Sequence, residues 1–322
     1  METFSDIRDF GQEQILDKQF LPKRKLLLLD QNAISKLALS PFNEWLEILE
    51  LLQSGVKNEK ILCPTPLETI SESIHLSRPD RERIENLCNE LSCGYFTKFF
   101  WQIIAQEILA RVRPGVDTSC LFLSPQIRNE SNDFEIKALA QRIWKDKGGY
   151  EKACNVLEEP LKLKGFPTQY RKDVAIIEWL NWMRRYLNKF RNGQEIDEQY
   201  FYFHQIFQSL RYLQITDKEI TGLLRASRTI EWLGIPFITC WLSLEGLLMY
   251  EQMQHGRKFR YNDELDRSRA ATAFHVGNCF ITDQKMMTMM KQLGVDDSNY
   301  FDFKVFSIGE PKNIITYLKE IC

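Results

Sequence analysis

The chain has no apolar run long enough to cross a bilayer. Its most apolar stretch, Trp232 to Leu244, falls short of the roughly 20 residues a span requires, contains Pro236 and is flanked by Glu231 and Glu245; it reads as a buried helix. A large excess of either charge is also missing, since 42 Lys and Arg stand against 44 Asp and Glu for a formal net charge of −2. Attraction of a polyanion to the whole molecule is thereby excluded, and any nucleic-acid contact has to be local. Histidine is scarce, with four in 322 residues, and there is no His-Glu-x-x-His motif and no Cys/His cluster, which removes the usual zinc patterns. The eight cysteines contain no Cys-x-x-Cys, and the nearest pair, Cys88 and Cys93, has no second pair at zinc-ribbon spacing. The opening METFSDIRDFGQEQ lacks the basic start and apolar core of a secretory signal, so free thiols, no membrane association and a cytoplasmic location are expected.

What is present is a globular composition, 44% hydrophobic and 27% charged, which excludes global disorder, and a length that fits about two domains. Leu26-Leu27-Leu28-Leu29, Lys60-Ile61-Leu62-Cys63 and Asn278-Cys279-Phe280-Ile281-Thr282 are short apolar runs bounded by turn or charged residues, as strands covered on both faces are. Each precedes a stretch with helical spacing: Ile34 to Leu52, Pro66 to Leu76, and Gln284 to Leu293. Phe303 to Ile308 reads as another strand and Pro311 to Ile321 as a closing helix. This alternation predicts an α/β fold with a doubly wound, mainly parallel sheet. Between about Cys93 and Phe259 the alternation stops, and Phe134–Trp144, Val174–Phe190, Tyr200–Leu213 and Lys218–Trp232 read as amphipathic helices. The expected organisation is residues 1–92 and 258–322 forming one α/β domain, with 93–257 an all-helical insertion.

In open α/β sheets ligands sit beyond the carboxyl ends of the strands. Asp30 directly follows the first apolar strand, Asp283 directly follows Phe280-Ile281-Thr282, and Glu68 lies a few residues past Ile61–Cys63. Leu265 to Val276 is helical in composition; about 12 residues at 1.5 Å each make a rod of ~18 Å, enough to cross the sheet once. That predicts Asp266, in its first turn, beside Asp283. Four carboxylates in one crevice repel one another unless cations lie between them, and a donor set of hard oxygens favours one or two Mg²⁺ or Mn²⁺ ions. Such ions activate water and stabilise a leaving oxygen, the chemistry of phosphodiester hydrolysis. An acid at a helix start is also a common cap. Glu68 and Asp266 are especially open to that explanation, Asp30 less so, and Asp263 is open as a cap, an outer support or a ligand.

Leu28-Leu29-Asp30-Gln31-Asn32-Ala33-Ile34 resembles the opening of PIN-domain ribonucleases, an apolar strand running into an Asp-x-Asn motif and a helix. Pro64-Thr65-Pro66-Leu67-Glu68 is similar to their second strand and its Glu, Asp266 to Ala273 to their Asp-x-x-x-Ala-Ala-x-Ala helix, and Phe280-Ile281-Thr282-Asp283 to their fourth strand, all in the family's order. The resemblance covers residues ~24 to 92 and ~258 to 320. It implies a three-layer α/β/α sandwich with a mainly parallel sheet. It also implies an acidic site of Asp30, Glu68, Asp266 and Asp283, supported by Asn32 and Thr282, that cuts RNA, or sometimes DNA, with Mg²⁺ or Mn²⁺. A toxin or defence role is what the family suggests. The stretch between Glu68 and Asp266 is far longer than in compact members.

Arg257, Lys258, Arg260, Arg267 and Arg269 surround Asp266 in sequence and are candidates to hold phosphates, or else solvated charges offsetting nearby acids. Trp182, Tyr186 and Phe190 form an aromatic stripe at helical spacing with Arg185 and Lys189 offset, which reads as a core face first and a base-stacking surface second. The insertion is also a candidate surface for a partner protein or a second copy of the chain. A catalytically silent PIN-like scaffold that binds RNA or protein through its helices is the rival from another class. A phosphatase of the haloacid dehalogenase type also begins with an Asp after its first strand, but it needs a second Asp two residues on, where this chain has Asn32.

Overall fold

A computed structural model describes residues 24–39, 42–73, 76–113, 122–123, 172–194, 201–226, 236–255, 260–295 and 302–322. In chain order the first half gives β1 (Lys25–Leu29), α1 (Gln31–Leu39), α2 (Glu44–Lys57), β2 (Ile61–Leu62), β3 (Thr65–Pro66), α3 (Leu67–Ser73), α4 (Arg78–Ser92), β4 (Phe96–Thr97), α5 (Phe100–Val112) and β5 (Phe122–Leu123). The second half gives α6 (Lys172–Arg191), α7 (Phe201–Tyr212), α8 (Asp217–Ala226), α9 (Pro236–His255), α10 (Tyr261–Val276), β6 (Cys279–Thr282), α11 (Gln284–Gln292), β7 (Lys304–Ser307) and α12 (Pro311–Ile321). The described residues fall into two compact units, one within Met1–Phe99, Ser119–Arg142 and Thr272–Cys322 and the other within Phe100–Thr118 and Ile143–Ala271. The divisions at 99/100 and 271/272 compare with expected limits at 92/93 and 257/258, and the second of them falls inside α10.

The first unit is α/β. Its main sheet has the order β2-β1-β6-β7, and every pair is parallel. Leu27, Leu28 and Leu29 pair with Cys279, Phe280 and Ile281, and Thr282 pairs with Ser307, so the carboxyl ends of β1, β6 and β7 lie along one edge. Four consecutive leucines make sense here because both faces of β1 are covered. Leu27 and Leu29 join Ile61, Cys279 and Ile281 in a core with Ile34, Ile48, Leu91 and Ile315 from the helices, while Leu28 and Phe280, pointing the other way, are also fully buried. A methyl group on Gly277 would lie 2.7 Å from the Ala273 carbonyl oxygen and 2.9 Å from Leu28 Cδ1, so a glycine is what lets the chain pass this close to β1.

Two expectations are corrected. Ile34 to Leu52 is not one helix: α1 stops at Leu39, ahead of Ser40-Pro41, and α2 starts after Asn43, whose φ is 47°. Proline disfavours helix in the residue before it and supplies no N–H. Residues 93–257 are not wholly helical either, because β4 and β5 fall within them; with β3 they form a separate small sheet, β3 and β4 parallel and β4 and β5 antiparallel. Strands of two residues are too short to leave an apolar run in the sequence.

The second unit is helical wherever it is described. Phe100 stacks on Trp241 at 5.4 Å between ring centroids. Tyr186 is buried as the core reading of the aromatic stripe expects, packed on Phe207 at 4.8 Å and Phe190 at 6.0 Å, with its hydroxyl 2.8 Å from His204 Nδ1. Burial and the nearby Arg211 hold the His204 imidazole below its usual range. The Trp182 side chain, the expected helix 134–144 and residues 227–232 lie outside the described residues. No described helix is long and apolar enough to cross a membrane.

Candidate functional site

The chemistry-bearing residues of the first unit gather at the carboxyl edge of the parallel sheet, where a strand gives way to a helix and the first N–H groups of that helix need acceptors. Asp30 stands at that point after β1 and is 3% exposed. Its Oδ1 accepts from the Ala33 N–H at 2.8 Å, closing the first turn of α1, and its Oδ2 accepts from the Asp283 N–H at 3.0 Å. Asp283 stands at the same point after β6 and caps α11, its Oδ1 accepting from the Met286 N–H at 2.7 Å. Two acids 253 residues apart in sequence are thus joined directly. Thr282 is buried next to them, and Asn32, expected as a support, is exposed.

Glu68 enters from the small sheet. It sits in the first turn of α3, immediately after β3, and is 2% exposed. The adjoining Thr69 hydroxyl is buried with no hydrogen-bond partner among the described residues. A residue that sequence reasoning missed connects this helix to α1: Gln31 Nε2 donates to Ser73 Oγ at 3.3 Å. No local pattern announces a bond between residues 42 apart. Cys63, close by after β2, is no candidate for a thiolate ligand or nucleophile, because burial raises its thiol well above the ordinary range.

Asp266 belongs to the part of α10 that lies in the second unit, where it is half-buried and bonded to Arg269 at 2.5 Å. Asp263 serves α10 as a cap, its Oδ2 accepting from the Arg260 N–H at 2.8 Å. Arg267 and Arg269, candidates for phosphate contacts, are each 1% exposed. Arg267 lies between Glu245, 2.7 Å away, and Glu264, with its guanidinium 4.0 Å above the Trp241 ring. Both arginines are internal cations and do not present themselves to a strand in solution. Arg260 is exposed, and Arg257 and Lys258 lie outside the described residues.

Among the described residues no group of three or more His, Cys, Asp or Glu side chains is placed to hold a metal ion. The capping bonds leave room for one in another way, since a carboxylate has about four acceptor positions and the Asp30–Asp283 pair brings two carboxylates to one strand edge. Magnesium commonly binds through one or two carboxylates and keeps several waters. The pair fits a hydrated hard cation, and a closed all-protein cage is absent. Compared with protein-family models, curated proteins and solved structures, the chain matches none.

Proposed function

We propose that the carboxyl edge of the parallel sheet is the site of a divalent-cation-dependent nuclease of PIN-like type, built as a three-layer α/β/α sandwich, acting on RNA in preference to DNA. One observation carries the reading: Asp30 and Asp283 follow neighbouring parallel strands and are hydrogen-bonded to each other, at the edge where α/β folds place their ligands. Asp30 and Asp283 would hold Mg²⁺ or Mn²⁺, with Glu68 and Asp266 as the further acids of the set. A bound ion would supply Lewis acidity and an activated water for in-line displacement at phosphorus. The chain's own part is to keep the two aspartates ionised and fixed, which the N–H groups of Ala33, Asp283 and Met286 do. The helical unit would select the substrate or bind a partner protein, and a role as a toxin or defence effector follows only by analogy with the family.

Asp283→Asn tests this best, because Asn caps a helix as well as Asp does while removing the charge. Mn²⁺-dependent cleavage of single-stranded RNA should fall by more than the roughly 10–100-fold that loss of an outer partner costs. Asp30→Asn should abolish it too. Full cleavage by the folded Asp283→Asn protein would refute the assignment.

The same capping bonds favour a second reading, a catalytically silent scaffold in which Asp30 and Asp283 serve the fold alone. In that case Mn²⁺ would leave the melting temperature of the wild-type chain unchanged, whereas a ligand-bearing edge is stabilised as the ion is titrated.

A further inference from the structure

The bond between Gln31 and Ser73 has a feature that a simple structural tie does not require. The Ser73 hydroxyl has one proton, and it is given to the Thr69 carbonyl at 2.8 Å. Ser73 Oγ can therefore only accept from Gln31, which fixes the amide: Nε2 faces Ser73, and Oε1 faces away. That Oε1 is buried and has no hydrogen-bond partner among the described residues. Leaving a buried acceptor in that state costs about 1–3 kcal/mol, so a donor from outside the chain is wanted beside Asp30. Ser35 Oγ lies 3.5 Å from the same Nε2 and so gives the Oε1 nothing.

Taking the cation site as given in the reading above, we propose that Gln31 is a positioning residue of that site. Its Nε2 ties the last turn of α3 to α1, and with β3 at the other end of α3 this sets where Glu68 stands relative to Asp30. Its Oε1 accepts a hydrogen bond from a water on the divalent ion, and such a water is a stronger donor than bulk water because the ion lowers its pKa. Gln31 itself does not touch the metal. The arrangement accounts for a Gln at the first position of α1, where a helix needs no side-chain amide, and for a serine on α3 whose hydroxyl is oriented by its own helix.

The test is Mn²⁺ binding to the full chain, measured by calorimetry or by the shift of the melting curve, for wild type, Gln31→Met, Ser73→Ala and the double variant. Methionine keeps the length of Gln31 and removes both polar atoms; Ser73→Ala removes the tie and leaves Oε1. Expected is a 10- to 100-fold rise in the Mn²⁺ dissociation constant for Gln31→Met, the range for loss of an outer partner of a metal site. A smaller rise is expected for Ser73→Ala, with the double variant no weaker than Gln31→Met. Binding by folded Gln31→Met within twofold of wild type overturns the role of Gln31 while leaving the cation site standing. Should Gln31→Met fail to fold, Ser73→Ala with unchanged affinity overturns the tie to α3. No Mn²⁺ binding by the wild-type chain removes the cation site, and this inference with it.

Discussion

Both units bury carboxylates, and they hold them by different means. In the helical unit each carries an arginine: Glu245 and Glu264 share Arg267, Asp266 holds Arg269, and Glu219 is gripped by Arg113 at 2.9 Å. Arg113 and two bonds from Thr216 bring the Glu219 carboxyl down to about 2. In the α/β unit Asp30 and Asp283 are held instead by backbone N–H groups at the ends of strands. An arginine cancels the charge it pairs with; an N–H group stabilises a carboxylate and leaves its formal charge in place. Acids of the second kind are the ones still able to attract a cation, which is why the strand edge and not the arginine-rich helices is the candidate site.

The comparison is broken most directly at Arg267. Arg267→Met should destabilise the helical unit by about 3–5 kcal/mol, since it strands two buried carboxylates, and a urea or thermal unfolding curve reads the loss. A change near zero would mean that the glutamates are not charged in the folded chain. Next in size is a pH effect in the α/β unit, where burial pushes the His275 imidazole from 6.5 down to about 4. Between those values the unfolded chain takes up a proton that the folded chain refuses. The contribution is therefore complete above about pH 6.5 and is lost as pH falls toward 4, at ~1.4 kcal/mol per pH unit and on the order of 3 kcal/mol at most. Stability measured across pH 4–7 should be flatter in His275→Leu than in wild type; equal slopes would trace the effect to other groups.

Smaller again is the cap. Asp283→Ala should cost about 1 kcal/mol and Asp283→Asn a few tenths, so the two variants separate capping from charge in a melting experiment. If Asn proves as costly as Ala, the negative charge is itself part of what holds α11 in place. Lys25→Ala should be the mildest change, below about 1 kcal/mol, because its bond to Asp302 lies on the surface. A large loss there would show that the sheet unit too depends on cation pairing.

The strands on either side of the candidate site were legible because a strand covered on both faces has to be apolar throughout, and Leu26–Leu29 and Cys279–Thr282 are the expected result. Asp30 and Asp283 could be picked out for the same reason, as the first charges after such runs. The capping arguments fell the other way round: Glu68 and Asp266 looked most like caps, yet Asp30 and Asp283 make the capping bonds, because in each case the acid stands immediately before a helix and not within its first turn. The inward turn of Arg267 was not legible, since nothing in Asp266-Arg267-Ser268-Arg269 says which arginine meets Trp241 and Glu245 from another helix.

By itself the amino-acid order determined the alternation of covered strands and helices, the break to helices after it, and the acids that follow β1 and β6, because local hydrophobic period and the residue types at strand ends carry that information. Only the tertiary structure decided that Asp30 meets the Asp283 backbone, that Gln31 reaches Ser73, and that two arginines beside Asp266 are interior. Those are contacts between segments tens to hundreds of residues apart, set by strand register and helix packing, on which no local window of sequence has any purchase.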